Sequence, residues 1–143
     1  MRTVLVLEQN PRYRKMLATA LEFAGHRPVC TNDADEAIDV LRSGPVDLML
    51  VQIKAGGFDG IGFLKRVRAE VALRVLPIIV MTETDDRDGV LMASQLGIQE
   101  LLVRRKVPLA KVLAFVRQHL HRPITCEGTL MGYEGVDPQL AVV

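Results

Sequence analysis

The sequence predicts an α/β fold in which a five-stranded parallel sheet carries helices on both faces. Short apolar runs rich in branched residues alternate five times with segments of helical periodicity. The runs are apolar at consecutive positions, which is typical of strands buried on both sides. The chain has 143 residues, 49% of them apolar and 24% charged, which suits one soluble domain with its own core.

The first strand and helix set the pattern for the rest of the chain. Residues 4–7 form an apolar run that ends at Glu8. Asn10 then suits the cap of a helix, Pro11 its first position and Gly25 its end. The apolar residues at helical spacing are Tyr13, Met16, Leu17, Ala20, Leu21 and Ala24.

The same alternation predicts the other elements. Further strands are expected over residues 28–31, 47–52, 77–81 and 100–103, and further helices over residues 33–42, 61–73, 88–96 and 109–120. A glycine-rich loop, residues 54–60, follows the third strand. Right-handed crossovers make this a flavodoxin-like, doubly wound sheet of order 2-1-3-4-5, with a site outside the carboxyl ends of the strands.

Residues 123–143 lack the periodicity of the domain before them, residues 1–122. This tail has three glycines and two prolines, but it is too apolar for a solvated linker. We expect it to dock on its own domain or on a partner chain, with a partly disordered terminus as the alternative. Its large apolar residues are Leu130, Met131, Tyr133, Val136 and Leu140.

Charge and cysteine content exclude several classes of function. Lysine and arginine number 18 against 17 acidic residues, a net charge of +1, so we expect no nucleic-acid or membrane partner. Cys30 and Cys126 are too few for a disulfide framework or a zinc site, and we predict two buried thiols in a reducing setting. His26, His119 and His121 are predicted to lie at the surface. With neither a signal-peptide core nor a membrane-length apolar stretch, the predicted localisation is cytoplasmic.

Residues 2–121 resemble the receiver domains of bacterial two-component response regulators, the CheY-like family. The resemblance is strongest in residues 4–11, in residues 47–60 with their Gly57, Phe58, Asp59 and Gly60, and in residues 77–82. It implies a part in signal transduction. In typical receivers two acidic residues end the first strand, a phosphoacceptor aspartate the third, a Thr or Ser the fourth, and a Lys followed by a cis-Pro the fifth. The matching positions here are Glu8 and Gln9, Gln52, Thr82, and Arg104 followed by Arg105.

The departures from that pattern predict a degenerate pseudo-receiver. The primary amide of Gln52 lacks the carboxylate nucleophile that forms an aspartyl phosphate. Among Glu8, Gln9 and Gln52 only the first is charged, a poor ligand set for Mg²⁺, which gives up its waters reluctantly. Leu101 stands where receivers usually carry the aromatic switch residue. We therefore expect no metal, no cofactor and no catalytic residue.

Two further substitutions change the expected shape of the site. Arg104 replaces the lysine, and Glu83 occupies a position that holds a small residue in most receivers. The guanidinium of Arg104 can pair with Glu8 or Glu83 and fill the space of a phosphoryl group and metal, or it can point to solvent. Arg105 replaces the cis-Pro, and because a non-prolyl cis bond costs about 2.5 to 4 kcal/mol, this peptide should be trans.

Three functional hypotheses follow. The first is a phosphorylation-independent protein-interaction module that binds a partner or a second copy through the helix of residues 88–96, the fifth strand and the last helix. Met92 and Phe115 are its candidate contact residues, with ordinary core packing as the alternative. The second is a sensor that binds an anionic nucleotide, such as a cyclic dinucleotide, at the basic run Arg104, Arg105 and Lys106. The third, an enzyme using Glu8 and Asp59, is disfavoured.

Overall fold

The computed structural model describes residues 1–53, 60–82 and 95–120, which form a five-stranded parallel sheet with helices on both faces. Strands β1 to β5 are Thr3–Leu7, Arg27–Thr31, Leu48–Ile53, Ile78–Thr82 and Glu100–Val103, and helices α1 to α4 are Pro11–Phe23, Ala34–Ser43, Gly60–Ala69 and Leu109–Leu120. The strand order is β2-β1-β3-β4-β5, as predicted. The glycine-rich loop up to residue 59, most of the predicted helix of residues 88–96 and the tail lie outside the described residues.

The start and end of α1 follow from local chemistry. The side-chain oxygen of Asn10 accepts hydrogen bonds from the backbone N–H groups of Arg12 (2.9 Å) and Tyr13 (3.1 Å). After the helix, Gly25 adopts a φ of 91°, in the left-handed region that favours glycine. The cap at Asn10 places the first turn of α1 directly beyond the carboxyl end of β1.

Side chains alternate across the sheet and build two apolar layers. On one face Leu5, Val51 and Val80 pack against α2 and α3, and on the other Val6, Leu50 and Met81 pack against α1 and α4. In the described residues, no helix combines the length and apolar character that crossing a bilayer requires.

The third helix is shorter than predicted. It ends at Ala69, not residue 73, because Glu70 takes an extended conformation and the chain continues as the 3₁₀ turn Val71–Leu73. The guanidinium of Arg68 secures this end by donating to the backbone carbonyls of Leu73, Arg74, Leu96 and Gly97. Burial lowers the pKa of Arg68 to about 10, so the group is still charged at neutral pH.

At its other end α3 approaches β3 closely. A Cβ atom on Gly60 would lie 2.5 Å from Cγ1 of Ile53, a distance that packed atoms do not reach. A larger residue at position 60 would therefore force the Ile53 side chain or the start of the helix to shift.

Several predictions of burial are wrong. Met16 and Ala24, assigned to the apolar face of α1, are exposed, because that face meets the sheet only through Tyr13, Leu17 and Leu21. His119, predicted at the surface, is buried between α4 and β5. Cys30 is half-buried rather than buried, and burial raises the pKa of its thiol. The predictions for Cys126 and His121 lie outside the described residues.

Candidate functional site

The carboxyl edge of the sheet brings most of the predicted site residues together. The pairing of β1 with β3 reaches Leu7 and Val51, so Glu8 and Gln52 follow that pair at one edge. Thr82 ends β4, where it pairs with Ile53 of β3 and Val103 of β5. Glu83 lies outside the described residues. The polar side chains thus meet at the strand ends where a doubly wound sheet places its site.

Glu8 is the buried carboxylate of this edge, with 1% of its surface exposed. Its backbone N–H donates to the carbonyl of Thr31 at 3.2 Å, and its own carbonyl accepts from the Arg14 guanidinium at 2.8 Å. Its Oε1 atom accepts from the backbone N–H of Asn10 at 3.1 Å. Two contacts thus hold the Glu8 backbone, and one backbone N–H binds its carboxylate.

Arg104 follows β5 in the 3₁₀ turn Arg104–Lys106 and turns inward. Its Nη1 atom lies 3.7 Å from Oε1 of Glu8, and only 21% of its side chain is exposed. Of the two pairings that the sequence left open, the one with Glu8 is therefore present. The positive charge of the guanidinium offsets the buried negative charge of the carboxylate.

Tyr13 of α1 completes this arrangement. The guanidinium carbon of Arg104 lies 3.4 Å from the centroid of its ring, a close cation–π contact. Burial raises the pKa of the Tyr13 hydroxyl, and Arg104 opposes that rise only in part, so the phenol is neutral at physiological pH. Sequence reasoning placed Tyr13 in the core and missed this contact. The available signal was its position in the first helical turn after the β1 end.

Two carboxamides lie at the same edge. Gln52 is 1% exposed, and its Nε2 donates to the carbonyl of Ile53 at 3.4 Å. Within the described residues its Oε1, and both polar side-chain atoms of Gln9, are buried without a hydrogen-bond partner. An amide offers hydrogen bonds but no carboxylate oxygen for covalent attack on phosphorus.

The donor set at this edge fits Mg²⁺ poorly. Within the described residues it consists of one carboxylate, Glu8, and the amides of Gln9 and Gln52, whereas Mg²⁺ favours charged oxygen ligands. The guanidinium of Arg104 already lies within 4 Å of that carboxylate, so a divalent ion there would meet like charge. The described residues contain no group of three or more acidic, histidine or cysteine side chains able to hold a metal ion.

The other predicted positions are spread over neighbouring elements. Leu101 is buried in the core on the α2 and α3 side of the sheet. In the basic run, Lys106 is exposed while Arg104 turns inward, and the Arg104–Arg105 peptide is trans. Phe115 is half-buried against the α1 and α4 layer, with Nζ of Lys111 5.7 Å from its ring centroid. Met92 lies outside the described residues.

Comparison with known proteins finds relatives of this chain at the level of sequence. The family model for the response regulator receiver domain matches residues 4–114. The response regulator PleD of Caulobacter vibrioides is 36% identical over 101 residues, which make up 71% of this chain and 22% of PleD. The chain thus spans about a fifth of the length of that relative.

Solved structures share the fold over most of their length. A response regulator receiver protein from Pseudomonas putida superposes with a TM-score of 0.73 at 26% identity, covering 82% of this chain and 96% of its own. The chemotaxis response regulator CheY4 of Vibrio cholerae gives a TM-score of 0.74 at 20% identity, covering 83% and 98%. At that identity the second match shows a common fold alone.

Proposed function

The chain belongs to the response regulator receiver domain family of two-component signalling, and we propose that it acts there as a pseudo-receiver, a protein-interaction module that works without phosphorylation. The observation that carries the proposal is the buried carboxamide of Gln52 at the end of β3, where the resemblance places the phosphoacceptor aspartate. Without a carboxylate there, no acyl phosphate can form at that position.

The ion pair at the same edge supports this proposal. Arg104 brings a permanent positive charge to Glu8, where receivers assemble a metal ion and a phosphoryl group. Its stacking on Tyr13 holds the guanidinium in place. The domain then keeps one arrangement of these side chains. It signals through the partner that it binds rather than through a covalent modification.

We place the partner-binding surface on β5, α4 and the segment of residues 88–96. Phe115 of α4 is only half-buried and lies beside the exposed Lys111, so this face offers both apolar area and charge. A second copy of the chain and a different protein are both candidate partners. The nucleotide-binding alternative is not favoured, because Arg104 of the basic run is engaged with Glu8 and Tyr13.

Calorimetric titration of the full chain with beryllofluoride and Mg²⁺ tests the degenerate site. We expect no binding at micromolar concentrations, because the nucleophile and most of the metal's charged ligands are missing. A receiver domain with aspartate at the matching position serves as the positive control. Micromolar binding to the wild-type chain would overturn the proposal.

Affinity capture from native cell extract tests the interaction surface. With the full chain as bait, Lys111→Glu should abolish capture of a partner that depends on the α4 face. Lys65→Glu is the matched control, because Lys65 is an exposed lysine on α3, across the sheet. If both variants lose capture of the partner equally, or if neither variant loses it, the partner binds at a different surface.

A further inference from the structure

A groove between α1 and α4 carries exposed apolar side chains that the proposed function does not use. We call it the α1–α4 groove; its apolar lining includes Met16 and Phe23 of α1 with Leu109 and Leu113 of α4, and its volume is about 610 Å³. Phe23 is 95% exposed and Met16 43%, although both are large apolar residues. These neighbouring apolar side chains offer a surface on which an apolar segment could pack.

The charge beside this groove suits an acidic segment. Arg12 and Lys15 line the groove together with the apolar residues. Beyond Arg122, the chain carries three acidic residues, Glu127, Glu134 and Asp137, and no lysine or arginine. An acidic segment interspersed with apolar residues is complementary to an apolar groove with a basic rim.

The tail also begins at the right end of the groove. Both α1 and α4 follow parallel strands and run from the carboxyl edge of the sheet to its amino edge, so Leu120 and Phe23 lie at the same end. The groove from Arg12 to Phe23 is about 17 Å long at 1.5 Å per residue, which about six extended residues would span. The chain after Leu120 is long enough to turn back and fill it.

We propose that residues 130–137 of this chain bind in the α1–α4 groove of the same molecule. Their apolar side chains would cover Phe23 and Met16, and their acidic residues would face Arg12 and Lys15. This intramolecular contact goes beyond the proposed function.

Methyl spectroscopy of the full chain tests this contact. The Cys30→Ser variant leaves Cys126 as the single cysteine, so a spin label attaches there alone. The methyl signals of the methionines are then recorded by NMR. We expect the Met16 signal to broaden strongly and that of Met49, buried on the other face of the sheet, to keep its width. High salt should reduce the effect, because charge pairing contributes to it.

Charge variants and a mixed sample complete the test. Arg12→Glu with Lys15→Glu should abolish the broadening at Met16, whereas Arg74→Glu, an exposed arginine outside the groove, should leave it unchanged. An unbroadened Met16 signal in the labelled chain would overturn the proposal. So would broadening that arises only when the label and the observed methyl group are on different chains, because the occupant would then be a second copy.

Discussion

At the carboxyl edge of the sheet, one guanidinium determines how a buried carboxylate is tolerated. Glu8 is almost fully buried, and a buried charge is costly unless a partner and hydrogen bonds compensate it. Arg104 supplies the charge at 3.7 Å, and the Asn10 backbone supplies a hydrogen bond at 3.1 Å. The intact pair adds little net stability, but loss of Arg104 would leave the Glu8 carboxylate buried without an opposite charge.

Removal of the cation should therefore cost more than a typical surface ion pair. We expect Arg104→Met to lower the free energy of unfolding by about 2 kcal/mol, because the Glu8 carboxylate loses its opposite charge while buried. Adding Glu8→Gln should recover at least about 1 kcal/mol of that loss. Urea denaturation of the wild type, both single variants and the double variant measures this coupling.

An exposed ion pair provides the control. Arg66 lies 3.1 Å from Asp35, closer than Arg104 lies to Glu8, but both partners are largely exposed. Arg66→Met should cost about 0.5 kcal/mol or less, because solvent screens the pair. Equal losses in Arg66→Met and Arg104→Met would mean that burial does not determine the strength of the Glu8 contact.

The sequence identifies which residues meet at this edge but not all of their contacts. Glu8, Gln52 and Thr82 follow or end parallel strands, so their neighbourhood is predictable once the strands are assigned. The choice of Glu8 as the partner of Arg104, and the stacking on Tyr13, depend on side-chain rotamers and on the path of the 3₁₀ turn. Local sequence patterns do not encode these.

Between elements, a second buried pair connects α4 to β5. His119 Nε2 lies 3.1 Å from Oε1 of Glu100, and both side chains are about 2% exposed or less. In the described residues, His119 Nδ1 and Glu100 Oε2 are buried without a hydrogen-bond partner. Two polar side chains thus join the end of the last helix to the start of an edge strand inside an apolar layer.

The loss of either partner should weaken the packing of α4 on the sheet. We expect His119→Leu and Glu100→Met each to lower the free energy of unfolding by about 3 kcal/mol, because each leaves one polar partner buried alone. The double variant should be more stable than either single variant, because it replaces the pair with apolar side chains of similar size. Urea denaturation measures these changes, and the slope of the unfolding free energy against urea concentration should stay the same in all variants.

Additive losses would contradict this coupling. If the losses of the two single variants add up in the double variant, the two side chains do not stabilise each other, and the 3.1 Å contact contributes nothing of its own. Val112→Ala in the same helix is a comparison for ordinary apolar packing, because Val112 is buried without a polar partner.

Element positions were predictable where periodicity and caps agree. The last helix matches its predicted bounds, and α1 begins after Asn10 and ends before Gly25 as predicted. The predicted end of α3 was wrong: the helix stops at Ala69, and Arg68 donates to the carbonyls of Leu96 and Gly97 in a distant part of the chain. A contact between residues far apart in sequence leaves no local periodic signal. His119 was assigned to the surface for a similar reason, since its partner Glu100 lies on another element.

For the molecule as a whole, a receiver switches only if a ligand or modification favours one of two conformations. A phosphoryl group can do so only by interacting differently with the two. In this chain the buried amide of Gln52, and Arg104 in contact with Glu8, stand where the resemblance to receivers places the nucleophile and the lysine. We propose that both the attachment of the signal and its recognition are altered, and we therefore expect that restoring one of them does not restore the switch.

Restoration of two residues tests the proposal that the site is degenerate. We expect Gln52→Asp combined with Arg104→Lys to remain unlabelled by a small-molecule phosphodonor in the presence of Mg²⁺, because Gln9 still denies the metal a second carboxylate next to Glu8. Addition of Gln9→Asp should give the first detectable acyl phosphate, measured by intact-protein mass spectrometry. Labelling of the two-residue variant would mean that Gln52 and Arg104 alone block the chemistry and that Gln9 does not limit metal binding.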